Sequence, residues 1–289
     1  MATLIELIKE LRERTGAGMM DCKKALQETD SDIEKAVEWL REKGIAKAAK
    51  KSSRIAAEGA TYVKESGLDA VILEVNSETD FVAKSDSFKA LVNETADILL
   101  SEKPGCINCA RERTNELFTN ATVKIGEKLD FRRFELLTRN ENQVFGSYIH
   151  MGGKISVLLL LEGNVTKDDA DNLAMHCAAN APLYVTKDDI SQEEREKELA
   201  IQVEAAKEDP KLAGKPEEML KKILAGKVDK YFSESVLVEQ EFLSEPGVKV
   251  GTFLKNKNAR VLKMIRYATG EGIQKREENF AEEVAKQMQ

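Results

Sequence analysis

The side chains able to do chemistry in this chain are few and poorly grouped. Cys106 and Cys109 form a C-x-x-C, a spacing used by thiol redox sites and by zinc sites. Zinc needs two more soft ligands. The chain offers Cys22, Cys177, His150 and His176, none of them in a second C-x-x-C or an H-x-x-x-H pair. A thioredoxin-like site follows a buried strand, whereas this pair follows Pro104-Gly105 in a polar connector; two thiols at a loop or helix start, without chemical duty, are the plain alternative. His176 adjoins Cys177, but neighbours on a helix point about 100° apart, so the two do not pair directly. No G-x-x-x-x-G-K-[ST], G-x-G-x-x-G or G-x-S-x-G occurs, so the common phosphate cradles and the serine elbow are missing. Carboxylates are abundant but fall on solvated helix faces. These residues do not make an enzyme.

A different kind of chemistry, contact rather than catalysis, is legible in Glu74-Val-Asn-Ser-Glu-Thr-Asp-Phe-Val-Ala-Lys84. The apolar run Ala70 to Val75 reads as a buried strand, and Asn76 to Thr79 as a polar exit from it. Asp80 is expected to cap a helix beginning near Val82, with Phe81 in its first turn. Phe81 either tucks back into the core or stands out beside the carboxylate as a rigid wedge; composition leaves both open.

Charged residues make up 33% of the 289 residues, aromatics 6%, and the formal net charge is −7. That balance argues for a soluble, helix-rich protein and against broad nucleic-acid binding, which needs a basic face. No apolar run approaches the ~20 residues of a membrane span. The opening MATLIELIKELRER carries acids and reads as an amphipathic helix rather than a signal or transit peptide, which places the protein in the cytoplasm. The length suits two or three modules with sizeable cores.

The elements that must position these residues follow in order. Residues 3 to 44 read as three short helices. Thr3 and Glu6 box the first, Gly16 breaks it, Ser31 and Glu34 box the third, and Gly44 ends it. Residues 45–58, rich in alanine and lysine, read as a linker. The body contains a duplication: Tyr62, Gly67 and Val71 match Tyr148, Gly153 and Val157 at one offset. Each copy gives a strand, a glycine turn, an apolar strand and an amphipathic helix, so each is a small antiparallel sheet covered by helices. The first copy adds a helix from Glu116 to Ile125 and a strand from Leu129 to Leu137. The second is interrupted by charged helical sequence, whose apolar seam is expected to set Leu199, Ile201 and Val203 against Leu220, Ile223 and Leu224. It resumes with a strand near Val236 to Phe242, a helix around Gly251 to Asn256 and a strand from Ala259 to Tyr267. Phe280, Val284 and Met288 recur at helical spacing in a last segment.

Leu11-Arg-Glu-Arg-Thr-Gly-Ala-Gly-Met-Met-Asp-Cys-Lys-Lys-Ala-Leu26 and the Glu74–Lys84 stretch resemble the two signature segments of the elongation factor Ts family, the guanine nucleotide exchange factors of bacterial elongation factor Tu. The resemblance runs along the whole chain and implies an α+β fold. It divides the chain into a ubiquitin-associated-like three-helix domain (1–44), the linker (45–58) and core subdomain N (59–140). Core subdomain C (141–184 and 231–269), an inserted antiparallel helical hairpin (185–230) and a C-terminal helical module (270–289) complete it. It also implies roles. Asp80 and Phe81, with Thr79 and Val82 of the same tip, would intrude into the partner's G domain near its magnesium site. Arg12, Met19, Met20 and Lys23 would face a helix of that domain, and His150, in Tyr-x-His-x-Gly, would reach another. The C-terminal helix would also touch the G domain. The implied partner is elongation factor Tu, GDP-bound and nucleotide-free, with no cofactor, nucleotide, nucleic acid or membrane bound by this chain itself; a homodimer through the hairpin is a further expectation. Two readings from other classes stand beside this one: an adaptor tethering a partner through its three-helix head, and a thiol redox protein centred on Cys106 and Cys109.

Overall fold

A computed structural model of the chain describes residues 3–207 and 217–274; the expected C-terminal helix with Phe280, Val284 and Met288 lies outside them. The chain divides into two compact units. One comprises Met1–Leu137, Met151–Ser156 and the residues from Tyr267 on, the other Thr138–His150 and Val157–Arg266. Helices and antiparallel sheets occur together in an α+β fold.

The first unit opens with α1 (Leu4–Thr15), α2 (Met19–Glu28) and α3 (Ile33–Lys51). Thr3 and Glu6 form the expected capping box, and Gly16 closes α1 in the left-handed conformation. Leu11, Ala17, Cys22, Ala25, Leu26, Ala36 and Leu40 make the head's own small core. Two details differ from expectation. The start of α3 is held by Asp32, whose Oδ1 accepts from Lys35 N–H at 3.1 Å, and not by Ser31. Nor does Gly44 end α3, which runs on to Lys51, so the stretch read as a linker begins as helix. A Cβ at residue 44 would sit 2.9 Å from Val123 Cγ2; this glycine serves a close helix approach, not a cap.

Next come β1 (Glu58–Ser66) and β2 (Asp69–Ser77), paired antiparallel from Glu58↔Ser77 to Ser66↔Asp69. The short α4 (Asp80–Lys84), α5 (Asp86–Glu102), α6 (Ile107–Ile125) and β3 (Leu129–Thr138) follow, with β3 along the other edge of β2. Val71, Leu73 and Val75 of β2 pack with Phe88, Leu91, Val92, Ala96 and Leu99 of α5, and with Leu129 and Phe131 of β3. The alternate residues Ala70, Ile72, Glu74 and Asn76 are also fully buried, so β2 is enclosed on both faces. Helix α6 starts well before Glu116. Cys106 is its N-cap, the Sγ accepting from Cys109 N–H at 3.1 Å, and Ala110 and Thr114 are buried in its early turns. Cys106 and Cys109 are disulfide-bonded.

The second unit is built on β4 (Gln143–His150), β5 (Ile155–Glu162) and, later in the chain, β6 (Arg260–Ala268), in the order β4-β5-β6. Helix α7 (Lys167–Asn180) buries Ala170, Leu173, Ala174, Cys177 and Ala178 as their spacing predicts. The inserted helices are α8 (Gln192–Lys207) and α9 (Glu217–Ser233). Helix α8 turns Arg195, Glu198 and Gln202 inward, while Leu199, Ile201 and Val203 are exposed. The expected seam therefore fails on the α8 side. A polar row at i, i+3, i+7 is satisfied instead, by Glu198 accepting from Gln202 (2.7 Å) and Arg195 donating to Lys187 O (2.6 Å). The strand expected near Val236 to Phe242 is a 3-10 turn, Leu237–Glu239, flanked by single bridges Tyr184↔Val236 and Glu241↔Lys249. Leu237 N–H bonds Tyr184 O at 2.8 Å and Phe242 N–H bonds Val248 O at 2.8 Å, so the chain pairs with two partners in turn and forms no ladder. Helix α10 (Val250–Asn256) then leads into β6.

Candidate functional site: a wedge at the end of β2

The sequence around the tip folds as it does because three adjacent side chains point to different environments. Val82 and Ala83 pack against the core of the first unit. Phe81, between them and Asp80, is 83% exposed. A phenylalanine this open gives up about 2 kcal/mol of burial that the core offers one residue away. The N-cap of α4 is Thr79, not Asp80: the Thr79 hydroxyl accepts from Val82 N–H at 3.4 Å. Asp80 sits instead in the first turn, where its carboxylate accepts from Lys84 Nζ at 2.6 Å. The Lys84 contact, helped by the charge of Lys154, holds the Asp80 carboxyl below its ordinary range, so it is an anion at neutral pH. The tip thus presents a ring and a fixed negative charge side by side.

A set of polar ties holds the base of this tip. Thr79 donates twice to Glu127, from its N–H to Oε2 (3.0 Å) and from its hydroxyl to Oε1 (2.6 Å). Glu78 accepts from Lys128 N–H (2.6 Å) and from Arg54 Nη1 (3.2 Å). Lys128 Nζ donates to Arg54 O (2.8 Å), and Lys51 Nζ donates to Gly126 O. The loop after α6 and the chain after α3 are therefore both fastened to residues 78 and 79. Sequence reasoning missed Glu127, Glu78 and Arg54; no short motif marks an acid whose partner lies far along the chain.

Further back on β2 is a buried carboxylate. Glu74 is fully buried and accepts from Arg132 Nη1 (3.0 Å), Arg133 Nε (2.6 Å), Asn76 Nδ2 (3.0 Å) and Gly270 N–H (2.7 Å). Burial alone pushes its carboxyl up. The Gly270, Asn76 and Arg133 contacts more than offset that and hold it below the ordinary value.

The other residues picked out by sequence lie elsewhere. Met19 (59%) and Met20 (74%) are exposed at the start of α2, and Arg12 and Lys23 are exposed on α1 and α2. His150 ends β4, half-buried, with Nδ1 3.3 Å from Tyr148 Oη and its ring stacked on that tyrosine. His176 is a buried structural histidine. Leu243 N–H donates to Nδ1 (3.3 Å) and Nε2 meets Gln240 Oε1 (2.9 Å); burial pushes its pKa down. Beside it, burial pushes the Cys177 thiol up to about 12, which removes it as a nucleophile. No helix among the described residues is long and apolar enough to cross a membrane.

An exposed ring and an anion side by side on a braced turn are features suited to contact with another macromolecule. Comparison with known families specifies which kind. The family model described as Elongation factor TS matches residues 78–271, and the one described as Elongation factor Ts, mitochondrial, N-terminal matches residues 1–49. The chain belongs to the elongation factor Ts family. Membership makes it a nucleotide exchange factor for elongation factor Tu in translation elongation.

Proposed function

We propose that this chain binds elongation factor Tu in its GDP-bound and nucleotide-free forms, in the cytoplasm, and that the Asp80–Phe81 tip drives GDP release. The observation that carries this reading is the exposed Phe81 ring on a turn whose neighbours Val82 and Ala83 pack, partly buried, against the core. A Mg²⁺ ion bridging nucleotide phosphates demands near-ideal octahedral geometry, so a small shift of the loops around it loosens the nucleotide. Burying the Phe81 ring between partner side chains supplies that shift. Factor and GDP then weaken each other's binding reciprocally, and a coupling of about 3 kcal/mol changes affinity by more than a hundredfold. Thr79 and Val82 frame the tip. Arg12, Met19, Met20 and Lys23 form a contact surface on the head, and His150 a separate contact on the second unit.

The test is the release of a fluorescent GDP from elongation factor Tu. Wild type accelerates release; Phe81→Ala, folded and still able to bind, loses most of that acceleration. Binding by wild type without any change in release would overturn the reading. It would favour instead an adaptor tethered through the exposed Met19 and Met20 of the head. The exposed Leu199, Ile201 and Val203 of α8 support self-association through the hairpin, which sedimentation of the full chain against a Leu199, Ile201 and Val203 triple-serine variant would check.

A further inference from the structure

We propose that Glu127 is a positioning residue for nucleotide exchange: it orients the Phe81 wedge by supplying, from a distant segment, the acidic half of the capping box that α4 lacks. The inference rests on the reading that the Asp80–Phe81 tip drives release.

A helix of five residues has no independent stability, and α4 has no fully buried residue. Its direction depends on what holds its first turn. In α1 and α7, which are also capped by threonine, the third helical residue is an acid that takes the N-cap's own N–H. Glu6 does so for Thr3 (2.7 Å) and Asp169 for Thr166 (3.0 Å). In α4 that third position is Val82, which packs against the core and has no side-chain acceptor to offer. The Thr79 N–H goes to Glu127 instead, and the second carboxylate oxygen takes the Thr79 hydroxyl. Both bonds are charge-assisted, the stronger kind. The hydroxyl, with its proton on Glu127, is left with its lone pairs toward Val82 N–H, so one carboxylate sets both halves of the cap.

Glu127 is itself well held. Gly126 closes the 19-residue α6 in the left-handed conformation, φ 87°, which turns the chain sharply at the residue before the carboxylate. Lys128 N–H binds Glu78 one residue before Thr79. Residues 78–79 and 127–128 therefore exchange two acid-to-backbone contacts in opposite directions, a clamp that resists rotation as well as translation.

The experiment compares Glu127→Ala, Glu127→Gln, Thr79→Ala, Phe81→Ala and the Glu127→Ala/Thr79→Ala double variant of the full chain. It reads GDP release from elongation factor Tu, affinity for the nucleotide-free partner, and thermal melting. Glu127→Ala is expected to slow the stimulated release about tenfold with affinity and melting little changed. Glu127→Gln, which keeps one acceptor oxygen, loses less. Because Glu127 acts through Thr79, the double variant is no slower than Glu127→Ala alone. Unchanged release in Glu127→Ala, a loss matched by lost affinity, or additive losses in the double variant would each overturn the positioning role while leaving the wedge reading intact. Wild-type release by Phe81→Ala would bring down the wedge reading and this inference together.

Discussion

The two halves of the duplicated core start from the same plan and end in different places. In both, an apolar strand rises from a glycine turn and hands the chain to a threonine-capped helix. In the second copy Thr166 opens α7, a 14-residue helix with six buried residues and a self-contained capping box. In the first, Thr79 opens a five-residue helix with none, fastened by the remote Glu127. The second hand-over serves packing; the first keeps an aromatic ring out of the core. In the first junction the acid that completes the cap comes from a distant segment, and the short helix stays in place with no fully buried residue.

The backs of the two central strands differ as well. At the duplication's offset, Glu74 of β2 corresponds to Leu160 of β5. The sharpest way to break the comparison is Glu74→Gln, which leaves Arg132 and Arg133 without their shared carboxylate. A loss of about 3 kcal/mol in urea unfolding at neutral pH is expected. Since the folded carboxyl titrates below its unfolded value, its contribution is complete above the ordinary carboxylate pKa and fades as pH falls through the depressed one. The gap between variant and wild type should narrow in acid. A gap that stayed constant down to the lowest pH would mean that Glu74 acts through shape alone.

A smaller effect is expected where α7 meets β4. A Cβ on Gly146 would lie 2.2 Å from Ala170 O, whereas the offset partner in the first copy, Ala60, already carries one and packs on the core. Gly146→Ala should cost about 2 kcal/mol through overpacking, and Ala60→Gly less than about 1 kcal/mol; equal costs in thermal melts would deny the difference in helix seating. Small in stability, and most telling in function, are the two caps. Thr166→Ala should lower stability by about 1 kcal/mol without touching GDP release, and Thr79→Ala should do the reverse.

Much of this was legible in residue order. The Thr3–Glu6 box, the apolar spacing of α7 and the duplicated Tyr–Gly–Val pattern need only local rules, since their partners lie within a few residues or repeat at one offset. The misreadings share a cause. Gly44 looked like a stop but faces Val123 of α6; Asp80 looked like a cap, yet Thr79 beside it holds that place; Leu199, Ile201 and Val203 looked like a seam but face outward. A partner distant in sequence decided the first, and a neighbouring hydroxyl and a polar row on the helix itself decided the other two.

The sequence by itself determined the α+β composition, the doubled core, the absence of common catalytic signatures and the family, through hydrophobic period, turn chemistry and two long signature segments. Only the tertiary structure decided that Phe81 stands in solvent, that Glu127 accepts from Thr79 at the start of α4 and that Glu74 is buried among two arginines and a backbone N–H. Exposure and hydrogen bonding depend on what else occupies the neighbouring space, and in this protein that is chain from the other end of α6 and from beyond β6.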